Sequence, residues 1–174
     1  CQVNLVEYVK SGNADLVKSY FDANTSMNRD ELAWALLHSM CGESTRLENS
    51  KPEDSTITEI LLENGAAPNY VPGCEFTPLL AAIEHYQPEK VKLLIAYAAD
   101  VNLPDKAGNL PLKYAVGSEF DFADQMCVPI KMDISRILFE AGADPNLKDG
   151  DDQSALEYAV ELGYEAAIEL FKKK

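Results

Sequence analysis

An all-α fold built from stacked helix–turn–helix units is predicted by three observations. The first is local. In residues 77–102, TPLLAAIEHYQPEKVKLLIAYAADVN, a short apolar run follows a Thr-Pro start. Val91, Leu94, Ile95 and Ala98 then recur at the i, i+3, i+4, i+7 spacing of one helix face. The second is periodic. Leu79, Leu112 and Leu156 fall in one column and Asn69, Asn102 and Asn146 in another, each at steps of 33 and then 44 residues. The third is energetic: neither helix of the unit is long enough to be stable alone in water. Each unit must therefore bury its apolar face against its neighbours.

The wording recurs with the spacing. TPLLAA at 77–82 returns as LPLKYAV at 110–116 and SALEYAV at 154–160. LLENGAAPN at 61–69 returns as IAYAADVN at 95–102 and LFEAGADPN at 138–146. With a basic period of 33, the chain resembles the ankyrin-repeat family over nearly its whole length. The resemblance implies an ankyrin-repeat solenoid of about five stacked repeats with hairpin-like loops and two long inter-helix insertions. It implies one domain over 1–174, with repeats at about 1–28, 29–69, 70–102, 103–146 and 147–174. It also implies a recognition scaffold rather than any particular activity.

In chain order, Leu5, Val9, Gly12-Asn13, Leu16, Val17 and Phe21 read as a first, atypical repeat. Tyr8 takes the column of Ala82, Ala115 and Ala159, which a terminal cap tolerates, so a true N-terminal end of the stack, or a truncation close to one, is expected here. In the second repeat Asn28 holds the turn column, Asp30 is the expected helix cap and Ala35 the small residue. Trp34 is expected to pack between repeats, the alternative being a ligand-stacking platform. Residues 39–54, SMCGESTRLENSKPED, read as a solvated insertion. Lengthening a loop costs only about 0.6 kcal/mol per doubling, so the insertion needs no functional cause.

The third repeat opens at Thr77 as cap and Pro78 as first helical residue. Before it lies an aromatic loop, Tyr70 to Phe76, turned at Pro72-Gly73. Ala98 interrupts the column of Gly65 and Gly142, where glycine suits a left-handed helix end and where Asn24 stands in the first repeat. Ala98 must accept a positive φ or the helix must close differently. The fourth repeat carries the second insertion, residues 117–129, where Phe120, Phe122, Met126 and Val128 are interspersed with Glu119, Asp121 and Asp124. Such a segment either packs its rings onto the outer helices or offers them to a partner. The fifth, with Leu156, Ala159, Gly163, Ala167, Ile168 and Phe171, is the most regular, and its terminal lysines complement a helix C-terminus.

Hydrophobic residues make up 47% and charged residues 25% of the 174, a globular composition. No run of about 18 apolar residues is present, so no membrane span is expected. Without a signal-peptide pattern or an initiator Met, the chain reads as a processed or cut form. Cys1 would also suit a lipidated start, but helix-like sequence follows it without the usual tether. The net charge of −14, from 29 acids and 15 bases, disfavours nucleic acid. It suits a protein partner with a basic surface, or simply a soluble acidic exterior. Cys1, Cys41, Cys74 and Cys127 show no C-x-x-C spacing, so free thiols in a reducing compartment are expected, with two disulfides the alternative. That places the chain in a cytoplasm, or in a host cytoplasm if it is a delivered effector.

Chemistry is poorly supported. His38 and His85 end neighbouring inner helices, and a zinc site there would need Cys41 or Glu84 as well. Asp151-Asp152 lies in a solvated turn without the burial that would tune it for proton transfer. No enzyme, metal or cofactor is expected. The resemblance instead points to hairpin tips and exposed inner-helix ends as a binding surface. The partner-binding residues are then Tyr70, Phe76, Glu84, His85, Lys106, Asn109, Phe120, Phe122, Met126, Asp151, Gln153 and Glu161. The expected function is that of a monomeric protein–protein interaction module, an adaptor or the recognition part of a larger protein. The alternative is a dedicated inhibitor or immunity protein that occludes a basic enzyme such as a nuclease toxin.

Overall fold

Ten α-helices and no β-strand are found among the residues described by the computed structural model, which are 4–23, 28–40, 55–70, 73 and 76–173. Most of the first insertion (41–54), Asn24, Val71, Pro72 and the cysteines Cys1, Cys41 and Cys74 lie outside the described residues. The helices come in consecutive pairs, which is the all-α repeat fold expected. The chain divides into two compact units, Cys1–Ala99 and Asp100–Lys174.

The first unit holds α1 (Leu5–Lys10), α2 (Ala14–Ala23), α3 (Arg29–Met40), α4 (Thr56–Glu63), α5 (Pro78–Glu84) and α6 (Pro88–Ala96). The first helices of the pairs, α1, α3 and α5, pack in one row, and α2 packs on α4 in a second. Leu5, Val17, Leu36, Met40, Leu61, Leu80, Ile83, Val91 and Leu94 are fully buried between them. Ala35 and Ala82 are fully covered in the small-residue column. Tyr8, in the same column, is half-buried with its ring edge-on to Tyr20 at 5.8 Å.

Helix starts follow the sequence with one correction. Thr77 accepts the Leu80 N–H at 3.2 Å, and Pro78 follows as the first helical residue. Asp30, expected to cap α3, sits inside its first turn; Asn28 accepts the Asp30 N–H at 3.0 Å instead. The helix begins at Arg29, so only a side chain just before it can reach the first free N–H groups. At the far end of α6, Ala98 takes the left-handed conformation, φ 65°, where Gly65 has φ 89°. The bond pattern is the same in both. Ala98 N–H reaches Ile95 O at 3.0 Å and Ala99 N–H reaches Leu94 O at 2.9 Å. Asn69 then donates to Ala98 O at 3.0 Å, so the asparagine column ties each repeat to the end of the next.

The second unit holds α7 (Pro111–Met126), α8 (Asp133–Glu140), α9 (Ala155–Glu161) and α10 (Glu165–Phe171). Here α7 packs on α9 and α8 on α10. Asn102 repeats the tie, accepting Asp144 N–H at 2.9 Å. The loops before α7 and α9 lie against each other, with Gly150 N–H donating to Gly108 O at 3.0 Å. A Cβ on Gly108 would stand 2.7 Å from the Gly150 Cα, so this approach requires glycine.

Most of the second insertion is helix. α7 runs 16 residues, continuing through 117–126 before the chain reverses at Cys127, φ 52°. Val116, Glu119 and Ala123 lie on its buried side at i, i+3 and i+7, so the helix period wins over the apparent alternation.

Candidate partner-binding site

A recess in the first unit is lined mainly by residues of the first helices of the pairs. On α3, Leu32, Ala33, Ala35, Leu36, Leu37 and Met40 are all turned into the core. Glu31, Trp34 and His38 share the remaining stripe, at i, i+3 and i+7. Together with Asn4, Val6, Glu7 and Lys10 around α1, Tyr20 of α2 and Asn28, they line a solvent-open cavity of about 640 Å³. Trp34 was expected to pack between repeats; it is instead 36% exposed at the rim. Six apolar neighbours on one short helix already fill the core, which leaves the indole on the solvent side.

The polar groups of this cavity have defined roles. Glu31 Oε1 accepts the Leu5 N–H at the start of α1 at 3.1 Å and the Tyr20 hydroxyl at 2.9 Å. Burial and that bond to Glu31 hold the Tyr20 phenol above its ordinary range. His38 Nδ1 lies 2.8 Å from the Trp34 carbonyl oxygen. A carbonyl only accepts, so Nδ1 carries the hydrogen and Nε2 of the neutral ring is an acceptor. Lys10 and Glu7 pair at 3.1 Å with both side chains more than half exposed. Glu7, Lys10, Tyr20, Glu31 and Asn28 were not singled out from the sequence as binding residues. The spacing 31, 34, 38 was the available signal.

Of the residues expected to bind a partner, Tyr70 is folded back. The Arg29 guanidinium lies 3.8 Å over its ring, and its hydroxyl donates to Asp30 at 2.8 Å. That bond, with some burial, raises the Tyr70 phenol. Phe76 and His85 are half-buried and Glu84 exposed. In the second unit Lys106 is exposed, whereas Asn109 is tied to Asp105 through both its N–H and its side chain, each at 2.9 Å. Gln153 donates to Glu161 at 2.6 Å, and exposed Asp151 stands 3.8 Å from Lys113. Lys113 also pairs with Asp149 at 2.6 Å. Although burial works against it, Lys113 and the N–H groups of Gln153 and Asp151 hold the Asp149 carboxyl below its ordinary range.

The apolar-acidic segment divides. Phe120 is half-buried with its ring 6.1 Å from Tyr164, and Phe122 is half-buried, while Met126 is 49% exposed. Glu119, only 3% exposed, accepts the Ile134 and Ser135 N–H groups at 2.8 and 3.3 Å and the Ser135 hydroxyl. Its role as a buried cap for α8 was not anticipated. Among the described residues, no group of three or more His, Cys, Asp or Glu is arranged to hold a metal, and Cys41 lies outside them. No helix among them is long and apolar enough to cross a membrane.

The family model for ankyrin repeats (three copies) matches residues 48–149, more than half of the chain. The chain belongs to the ankyrin-repeat family. It is 28% identical over 124 residues to the ADP-ribosylation factor GTPase-activating protein AGD2 of Arabidopsis thaliana, covering 71% of this chain and 14% of that protein. To AGD4 of the same plant it is 26% identical over 164 residues, 94% of this chain and 18% of that one. A putative ankyrin repeat protein of Coxiella burnetii is 28% identical over 110 residues, 61% of this chain and 32% of that protein. The ankyrin chain thus spans less than a third of each of these three relatives. Ankyrin repeats generally mediate protein–protein interaction.

Proposed function

We propose that this ankyrin-repeat chain is a recognition module for a protein partner that presents a basic patch. The observation that carries the reading is the surplus of acidic side chains, 29 against 15 basic, with Glu7, Glu84, Asp151, Asp152 and Glu161 all at the surface. The relatives support a module within larger proteins, since the aligned stretch is 14% and 18% of the two plant proteins. Opposite charge across an interface speeds encounter and excludes wrong partners. Surface pairs weaken with salt, because the screening length falls from about 10 Å at 0.1 M to about 3 Å at 1 M.

The test is an affinity capture from the native host with mass spectrometry at low and high salt. A partner with a basic patch, captured at low salt and released at high salt, is the expected result. A tight partner whose affinity ignores salt would overturn the electrostatic reading. Where the captured partner is an enzyme, stoichiometric loss of its activity would make the module an occluding inhibitor rather than an adaptor.

A further inference from the structure

We propose that the cavity between α1 and α3 receives the guanidinium group of a partner's arginine side chain, stacked on the Trp34 indole and hydrogen-bonded to Glu7, Glu31 and His38. The proposal rests on the reading of a basic protein partner and names the group that the first unit would select. Three features converge on it. The first is the rim: Trp34 offers a flat aromatic face at 36% exposure, beside the His38 ring at 6.3 Å. The second is the hydrogen-bond character of the lining. Glu7 and Glu31 are carboxylates, both described bonds to Glu31 end on Oε1, and in the neutral His38 ring Nε2 is an acceptor, because Nδ1 is committed to the Trp34 carbonyl. The third is charge, with two carboxylates against the single cation of Lys10.

A guanidinium is planar, permanently charged and carries five N–H donors in a fixed fork, so it can stack and donate at once. An ammonium has no flat face to lay on an indole, and an uncharged amide lacks the attraction to the ring. An anion is disfavoured despite the nearby start of α1, because Glu31 already takes the Leu5 N–H at 3.1 Å and would repel it. Lys10 is no obstacle. It is held to Glu7 by an i,i+3 surface pair, a weak interaction that a better-placed donor displaces. A volume of about 640 Å³ admits the side chain with the backbone on either side of it.

The chain has one tryptophan, so intrinsic fluorescence reports on this cavity directly. The full chain is titrated with the blocked peptide Gly-Arg-Gly-Arg-Gly and with its lysine and citrulline counterparts. A saturable change with the arginine peptide is expected, about threefold weaker with lysine and about tenfold weaker with citrulline. By calorimetry, Trp34→Ala should abolish the binding and Glu31→Gln should weaken it severalfold, with circular dichroism unchanged because the indole is at the surface. Equal affinity for the citrulline peptide, no saturation up to about 10 mM, or undiminished binding by Trp34→Ala would overturn the proposal. If Trp34→Ala still captures the basic host partner at full strength, the cavity assignment fails while the protein-binding reading stands. If the arginine peptide binds as described but the captured partners show no basic patch, the cavity assignment stands and the electrostatic reading fails.

Discussion

Glu31 of α3 and Glu119 of α7 use one device in the two units and end in opposite states. Each carboxylate leaves its own helix to accept N–H groups at the start of another: Glu31 takes that of Leu5 on α1, and Glu119 those of Ile134 and Ser135 on α8. Glu119 is sealed at 3% exposure, with the Ser135 hydroxyl donating to its second oxygen. Glu31 is half-buried, lines a cavity and shares one oxygen between its two described bonds. The same capping chemistry therefore becomes structural where it is enclosed and available where it is open. Burial, not residue type, separates the two roles.

The largest effect expected from this contrast is at the enclosed site. Glu119→Ala removes the acceptor of two buried N–H groups and one buried hydroxyl and leaves a void. A loss of about 3 to 4 kcal/mol is expected, read as the urea midpoint at constant slope. A loss under about 1 kcal/mol would mean that water replaces the carboxylate, and the site would not be sealed.

Acid–base titration gives the next effect. Burial pushes the Glu119 carboxyl from 4.5 up to about 7 against the bonds from Ser135 and Ile134, with Asp133 adding to the rise. The folded chain thus keeps a proton that the unfolded chain releases near its ordinary value. This contribution to stability is fully present below about 4.5 and is lost as pH rises through about 7, amounting to about 3 kcal/mol at most. Glu119→Gln cannot titrate. The stability of the wild type relative to Glu119→Gln should fall between pH 4.5 and 7, as measured by paired denaturation curves. A gap that stays constant with pH would show that the carboxylate is charged throughout.

Ser135→Ala probes the same site more gently. It deletes one donor to Glu119 and leaves both backbone bonds in place. A loss of about 1 to 2 kcal/mol is expected, together with a further rise of the Glu119 carboxyl, because a bond that favours its charged form has gone. An unchanged pH profile for Ser135→Ala would argue that the hydroxyl does not reach Glu119.

The fold was legible because the repeat columns are physical requirements. Ala35, Ala82, Ala115 and Ala159 are all fully covered, as close helix approach demands. Ala98 shows that the column for left-handed helix ends is a backbone requirement: an alanine that breaks the glycine pattern still adopts φ 65°. What escaped reading was set by tertiary contact. Alternating Phe and acidic residues in 117–126 look like a loop or edge until α8 and α10 are there to receive Glu119 and Phe120. Trp34 is expected to pack between repeats, yet the aliphatic residues around it on α3 fill that core. The cavity itself joins α1, α2 and α3, and no local pattern announces which of their polar side chains will meet.

The smallest expected effect on stability is at the open site, and it is the most discriminating. In Glu31→Gln the side-chain oxygen still accepts from Leu5 and Tyr20, so stability should change by less than about 1 kcal/mol. The negative charge is gone, however. Tyr20 should then titrate closer to its ordinary value of 10, since burial remains but the bond to a charged Glu31 does not. Spectrophotometric titration of the variant against the wild type reads this shift without needing a ligand. Should Glu31→Gln instead unfold the chain, or leave Tyr20 where it was, Glu31 would be a structural cap like Glu119 and the distinction between the two would collapse. A stable variant with a lowered Tyr20 means that the carboxylate's charge is dispensable for the fold, so any loss of arginine-peptide affinity can be assigned to recognition itself.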